Sequence, residues 1–117
     1  KKQWTKQLGT SSSDYGVGVT VDSSDNIYVT GGTSGGLDGN KSSGDSDIFL
    51  VKYNSVGVKQ WTKQLGTSSS DYGLGVTVDS SNNIYVTGGT SGGLDGNTSL
   101  GGNDIFLVKF NSDGIKL

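Results

Sequence analysis

The sequence predicts an all-β chain made of two copies of one four-stranded antiparallel unit, and three observations predict it. Trp4 to Gln60 returns almost letter for letter as Trp61 to Leu117, 57 positions later, with ten aligned pairs differing. A repeat of this length and fidelity marks a structural unit that stacks on copies of itself. Short runs of Val, Ile, Tyr and Phe alternate with clusters of Gly, Ser, Asn and Asp, the pattern of strands and turns. No stretch has helical periodicity, and 21 glycines are too many for a stable helix.

Four strands are expected in each copy. The first is Gly16 to Val21, with valines alternating against small residues. After the turn Asp22-Ser23-Ser24-Asp25, the second runs from Asn26 to Gly31. The third, Asp47 to Tyr53, is apolar on both faces through its middle. The fourth, Lys59 to Leu65, follows Asn54-Ser55-Val56-Gly57. The second copy repeats three of these strands and stops at Leu117, where its fourth would begin. The spare fourth-type strand is Lys2 to Leu8, at the other end.

The turns have a mechanism. Asn54-Ser55-Val56-Gly57 and Asn111-Ser112-Asp113-Gly114 suit a type I turn with Gly in the left-handed position of a bulged hairpin. Asp25 and Asn82 take the equivalent place in the other tight turn, because Asx residues tolerate positive φ.

Four antiparallel strands in about 40–50 residues, repeated, is the pattern of a β-propeller blade, ahead of a β-sandwich or a solenoid. A blade lies between neighbours, which explains a third strand reading Ile-Phe-Leu-Val. Its outer strand meets solvent, which suits Lys2, Lys6, Lys59 and Lys63 as edge protection. Gly16, Gly18, Gly73 and Gly75 fit the innermost strand, where blades crowd the central channel.

Composition narrows the function classes. Nine Lys against eleven Asp, net charge −2, give no electrostatic reason to expect nucleic acid or an anionic membrane as partner. No apolar run approaches the roughly 18–20 residues of a membrane span. Without Cys there is no disulfide or thiolate metal site. The absence of His, Cys and Glu removes the usual acid–base and nucleophile pairings, so no enzyme activity and no cofactor are expected. The chain opens without Met and in mid-motif, as a processed or excised piece of a longer protein would.

The run Asp22-Ser23-Ser24-Asp25-Asn26-Ile27-Tyr28-Val29-Thr30-Gly31, followed by Asp47-Ile48-Phe49-Leu50-Val51-Lys52-Tyr53, resembles the SBBP-type bacterial β-propeller repeat. That motif reads approximately D-x-x-G-N-[IV]-Y-V-T-G, then G-x-D-[AI]-F-[LV]-x-K; Asp25 and Asn82 stand where it usually has Gly. The resemblance covers both copies. It implies a many-bladed, secreted or cell-surface parent protein, and it supplies no catalytic residues.

Two blades cannot close a ring, and an open pair exposes apolar faces and strand edges. Residues 1–9 are therefore expected as an outer strand completing the blade of a neighbouring chain. Residues 10–66 form the first blade and residues 67–117 a second blade lacking its outer strand. The expected partner is the chain itself, head to tail until rotation closes. Four chains giving eight blades stand ahead of three giving six. Trp4, Leu8, Phe106 and Val108 are the candidate assembly residues.

The connections Gly9 to Tyr15 and Gly31 to Ser46 should share one rim and carry any recognition surface. Candidate ligand-binding residues there are Asp14, Asp38, Asn40 and Asp47, with their counterparts Asp71, Asp95, Asn97 and Asp104. Leu37-Asp38-Gly39-Asn40 and Leu94-Asp95-Gly96-Asn97 resemble the start of a calcium loop, which makes Asp38, Asn40, Asp95 and Asn97 the calcium candidates. Neither loop has Gly at its sixth position or Glu at its twelfth, so Asx-turns account for the same residues. Asp45 and Asp47 read as a solvated turn rather than a catalytic pair, and copy two has Gly102 in place of Asp45. Asn40-Lys41-Ser42 and Asn97-Thr98-Ser99 match the glycosylation sequon, by coincidence in a bacterial repeat. Trp4, Trp61, Tyr15 and Tyr72 offer rings for stacking on sugars, although Trp on an outer strand, followed by Leu8 or Leu65, suits packing between blades better. A structural module and a glycan- or protein-binding module thus both fit the sequence.

Overall fold

A computed structural model describes residues 1–117. Four strands, β1 (Asp14–Val21), β2 (Ile27–Thr33), β3 (Asp47–Tyr53) and β4 (Lys59–Leu65), form one antiparallel meander in the order β1-β2-β3-β4. Three more, β5 (Asp71–Val78), β6 (Ile84–Thr90) and β7 (Asp104–Phe110), form a second meander in the order β5-β6-β7. Both sheets have the up-and-down plan of a propeller blade.

The third and fourth strands have the limits expected from the sequence. The first begins two residues early and the second ends two residues late, because Asp14 pairs with Thr33 and Tyr15 with Gly32 beyond a bulge between Gly16 and Gly18. The turns follow their chemistry: Asp25 and Asn82 both have φ 64°, and Gly57 and Gly114 have φ 86° and 81°.

Residues 1–13 form no strand, and no backbone hydrogen bond involves residues 1–9. A strand needs a partner along its flank, and none of this chain's strands lies beside that segment. It runs instead over the first sheet. Leu8 packs on Leu37, Phe49 and Val51, and the Trp4 ring covers the Gly57 turn. The placement repeats one blade further on, where Trp61 of β4 covers Gly114.

The main core lies between the sheets. Tyr28, Ile48 and Leu50 from the first meet Ile84, Val86, Phe106 and Val108 from the second, with Trp61 and Leu65 packed at the side. The Tyr28 and Trp61 rings lie 6.2 Å apart at 50°. β1 and β5 approach closely because glycine lines the contact: a Cβ on Gly18 would stand 3.0 Å from the Leu74 carbonyl.

Gly31 in β2 permits a very close approach, since a Cβ there would lie 2.0 Å from the Tyr15 carbonyl and 3.0 Å from the Phe49 ring, as one on Gly88 would lie 2.0 Å from the Tyr72 carbonyl. Gly31→Ala is expected to lower stability by about 1–3 kcal/mol in urea unfolding. Gly102→Ala, whose Cβ meets nothing within 4 Å, should stay within about 0.5 kcal/mol of wild type. Equal losses for both would contradict the packing.

Candidate functional site

The two long connections of the first blade share one rim, as Ser34 N–H donating to the Ser13 carbonyl at 2.8 Å shows. Asp14 closes the rim by joining its two sides. Its carboxylate accepts hydrogen bonds from Thr10 N–H at 2.8 Å and from the Thr10 and Thr33 hydroxyls. Asp71 repeats the arrangement with Thr67 and Thr90. Burial acts to raise the Asp14 pKa, but the bonds from Thr33 and Thr10 outweigh it and hold it below the ordinary value.

Asp38 and Asn40 turn toward β4. Asp38 has φ 49° and forms an ion pair with Lys59 at 2.7 Å, while also accepting the Thr62 hydroxyl. The hydrogen bonds from Lys59 and Thr62 depress its pKa. Asn40 Nδ2 donates to the Leu37 carbonyl at 2.7 Å and the Thr62 carbonyl at 3.2 Å. In the second blade Asp95 pairs with Lys116 at 2.7 Å, and Asn97 keeps only the bond to Leu94, at 2.8 Å. No three acidic side chains gather as a metal-binding group.

Asp47 is fully buried rather than in a solvated turn. Its Oδ2 accepts Ser43 N–H at 2.7 Å and Gln64 Nε2 at 2.9 Å, while Oδ1 has no donor. Gly66 makes this possible, because a Cβ there would stand 2.2 Å from Oδ1. Gln64 links β4 to the rim, accepting Leu37 N–H at 3.0 Å and donating to the Gly35 carbonyl at 2.8 Å. Asp104, the counterpart of Asp47, is half-buried and accepts only Leu100 N–H, at 2.8 Å.

The opposite rim is built on Asp22 and Asp79. Each accepts a tyrosine hydroxyl at 2.8 Å, from Tyr28 and Tyr85, as well as turn amides. Burial works to raise the Asp22 pKa, and the bonds from Tyr28, Asn26 and Ser24 overcome it. The Asn83 amide and Tyr85 hydroxyl bring Asp79 down to about 2. Burial and the Asp22 carboxylate push Tyr28 well above the ordinary tyrosine value.

The open faces complete the picture. Ile48 and Leu50 in β3 are 2% and 1% exposed, whereas Ile105 and Leu107, their counterparts in β7, are 89% and 72% exposed. On the far side of the first blade, Val19 and Val21 are exposed although their counterparts Val76 and Val78 pack on the main core. Trp4, Leu8, Val19, Val29 and Phe49 line an apolar groove of about 480 Å³ there. Of the candidate assembly residues, Trp4 is partly exposed beside that groove and Leu8 partly buried against it. Phe106 and Val108 point into the chain's own core. Ile105, Leu107 and Gln64 escaped the sequence reading. Alternation along β7 offered the first two, but with Ile105 to Val108 apolar on both faces it did not say which pair faces out.

The model of the SBBP family, described as a beta-propeller repeat, matches residues 3–38 and 60–95. The chain is also similar to an uncharacterised WD repeat-containing protein of Acanthamoeba polyphaga mimivirus, 30% identical over 142 residues, covering 97% of this chain and 10% of the relative. A second relative is the Regulatory protein FlaEY of Caulobacter vibrioides, 29% identical over 122 residues, covering 95% of this chain and 13% of the relative. The chain therefore spans about a tenth of the length of these proteins.

A carboxylate with a depressed folded pKa stabilises the fold above its unfolded pKa, and the benefit is lost as pH falls through the folded value. For Asp14, Asp22, Asp38 and Asp79, starting from an ordinary 3.8, the urea midpoint should hold from about pH 7 to 5 and drop steadily below about pH 4. A midpoint unchanged at about pH 2 would contradict these hydrogen bonds.

Proposed function

We propose that this chain, which belongs to the SBBP beta-propeller repeat family, is a non-enzymatic structural module whose two blades pack head to tail with copies of itself until a ring closes. One observation carries this reading. The second blade's outer face and the first blade's far face are the two halves of the junction already made once inside the chain. At that junction Tyr28, Ile48 and Leu50 cover Ile84 and Val86. Ile105 and Leu107 are the same residues left uncovered on the second blade, with Tyr85 half-buried beside them, and Ile27 and Val29 the same receiving surface on the first. Each large aliphatic side chain so covered contributes about 1.5–3 kcal/mol.

The N-terminal segment fits the same scheme. It lies on the first blade as β4 lies on the second, the place of an outer strand belonging to a preceding blade. Its backbone groups are unpaired, and so is the flank of β7 from Asp104 to Val108, beyond the end where Lys116 bridges Phe110 and Leu117 N–H donates to the Lys109 carbonyl; their union would complete the neighbour's second blade. Four chains closing eight blades stand ahead of three closing six, both within the usual range of about four to eight. A rim that binds glycan, protein or calcium has less support, because Asp14, Asp38, Asn40 and Asp47 already hold the rim together.

In native mass spectrometry the wild-type chain is expected as a single multiple of its 12.0 kDa mass, about 48 kDa for four chains. Ile105→Asp should leave the single chain folded, since the residue is exposed, and reduce the mass to one chain. A monomeric wild type would overturn the proposal.

A further inference from the structure

The flank of β3 shows what its outer strand must offer. β4 is held there by more than backbone pairing, because the Gln64 side chain enters the rim loop and is gripped on both ends. Oε1 takes Leu37 N–H at 3.0 Å, while Nε2 gives hydrogen bonds to the Gly35 carbonyl at 2.8 Å and Asp47 Oδ2 at 2.9 Å. An acceptor and two donors on one planar group are what an amide has. Glutamate would set a carboxylate against Asp47, and leucine would leave the loop groups without partners. Unpaired buried polar groups are costly, which is how a site built for hydrogen bonds rejects the wrong side chain.

The second blade has the same loop, and only Lys116 and Leu117 pair with the Lys109–Phe110 end of β7, leaving the rest of its flank without a strand. Leu94, Asn97, Asp104, Ile105 and Leu107 border a groove of about 520 Å³ along the flank of β7. Gly92 and Asp104 stand where Gly35 and Asp47 do, one repeat later. Gln7 stands one repeat before Gln64. It is exposed and, unlike Gln64, enters no hydrogen bond within its own chain.

We infer that the groove along β7 is a peptide-binding site for the extended segment Trp4–Leu8 of a second copy, and that Gln7 is the residue by which that segment is recognised. The segment adds antiparallel to β7, as β4 adds to β3. In blade one Leu65 lies opposite Ile48, Gln64 opposite Phe49 and Trp61 opposite Lys52. One repeat on, Leu8 faces Ile105, Gln7 faces Phe106 and Trp4 faces Lys109. The Gln7 amide then reaches Leu94 N–H, the Gly92 carbonyl and Asp104. This inference rests on the self-assembly reading and adds a sequence requirement to it, since packing of apolar faces alone asks for no glutamine.

The test uses full-length chains and a labelled nine-residue peptide, Lys1 to Gly9. The Gln7→Leu chain keeps its groove intact and serves as receptor in fluorescence anisotropy. The wild-type peptide should bind it, and the peptide carrying Gln7→Leu should bind roughly tenfold or more weakly. In the full chain, Gln7→Leu should leave the circular dichroism spectrum unchanged and raise the concentration needed for assembly by a similar factor. Gln3→Leu should change neither. Equal binding of the two peptides, or assembly of the Gln7→Leu chain at the wild-type concentration, overturns the role of Gln7 while self-assembly stands. A wild-type chain that stays monomeric yet binds the peptide in a Gln7-dependent way upholds the groove and overturns the ring. Failure of the wild-type peptide to bind overturns the site itself.

Discussion

A propeller blade whose third strand is apolar on both faces through its middle has to be covered on both. β3 meets that demand: Ile48 and Leu50 are buried against the second sheet, while Phe49 and Val51 are buried against Leu37 and the N-terminal segment. β7 has nearly the same sequence and meets only half of it, with Phe106 and Val108 inside and Ile105 and Leu107 in solvent. The rest of the molecule follows from that difference. One strand sequence placed in two settings measures directly what a neighbour contributes, and the measure is two large aliphatic side chains plus the flank of a sheet. Leaving such a face open invites association.

Polar groups decide where the apolar surfaces meet. Asp14 and Asp71 tie the entry of each blade to the end of its second strand, and Asp22 and Asp79 stiffen the opposite turns through tyrosine hydroxyls. Gln64 and Asp38 draw the rim loop onto β4. These contacts fix strand register in a fold whose apolar residues alone would tolerate slippage. They also explain why a rim rich in Asp and Asn need not be a ligand site: most of its carboxylates already accept hydrogen bonds from the protein.

Much of this was legible in the repeat. The limits of β3 and β4, the left-handed Asp25 and Asn82, and the bulged turns at Gly57 and Gly114 all follow from local chemistry. The strand ends near Tyr15 and Thr33 were harder, because Gly31-Gly32 reads as a break, yet its glycines are needed where Tyr15 crosses them. The burial of Asp47 was hidden because its partners, Ser43 and Gln64, come from a loop and from another strand. The outward pair on β7 could not be chosen by alternation, since either pair is apolar. The N-terminal segment has the sequence of a strand but not the pairing, because strand formation depends on a flank that its own chain does not place beside it.

Complementary open surfaces on one chain, each the missing half of a junction that the chain has already made, are the central claim. Amide hydrogen exchange of the wild-type chain in solution tests it most directly. If a second copy fills the groove, amides from Asp104 to Val108 in β7 and in Trp4 to Leu8 will exchange as slowly as those in β3 and β4, although within a single chain only the Lys109–Phe110 end of β7 has an outer partner, in Lys116 and Leu117. Rapid exchange in both, at the rate of an open strand edge while β3 stays protected, would contradict the account.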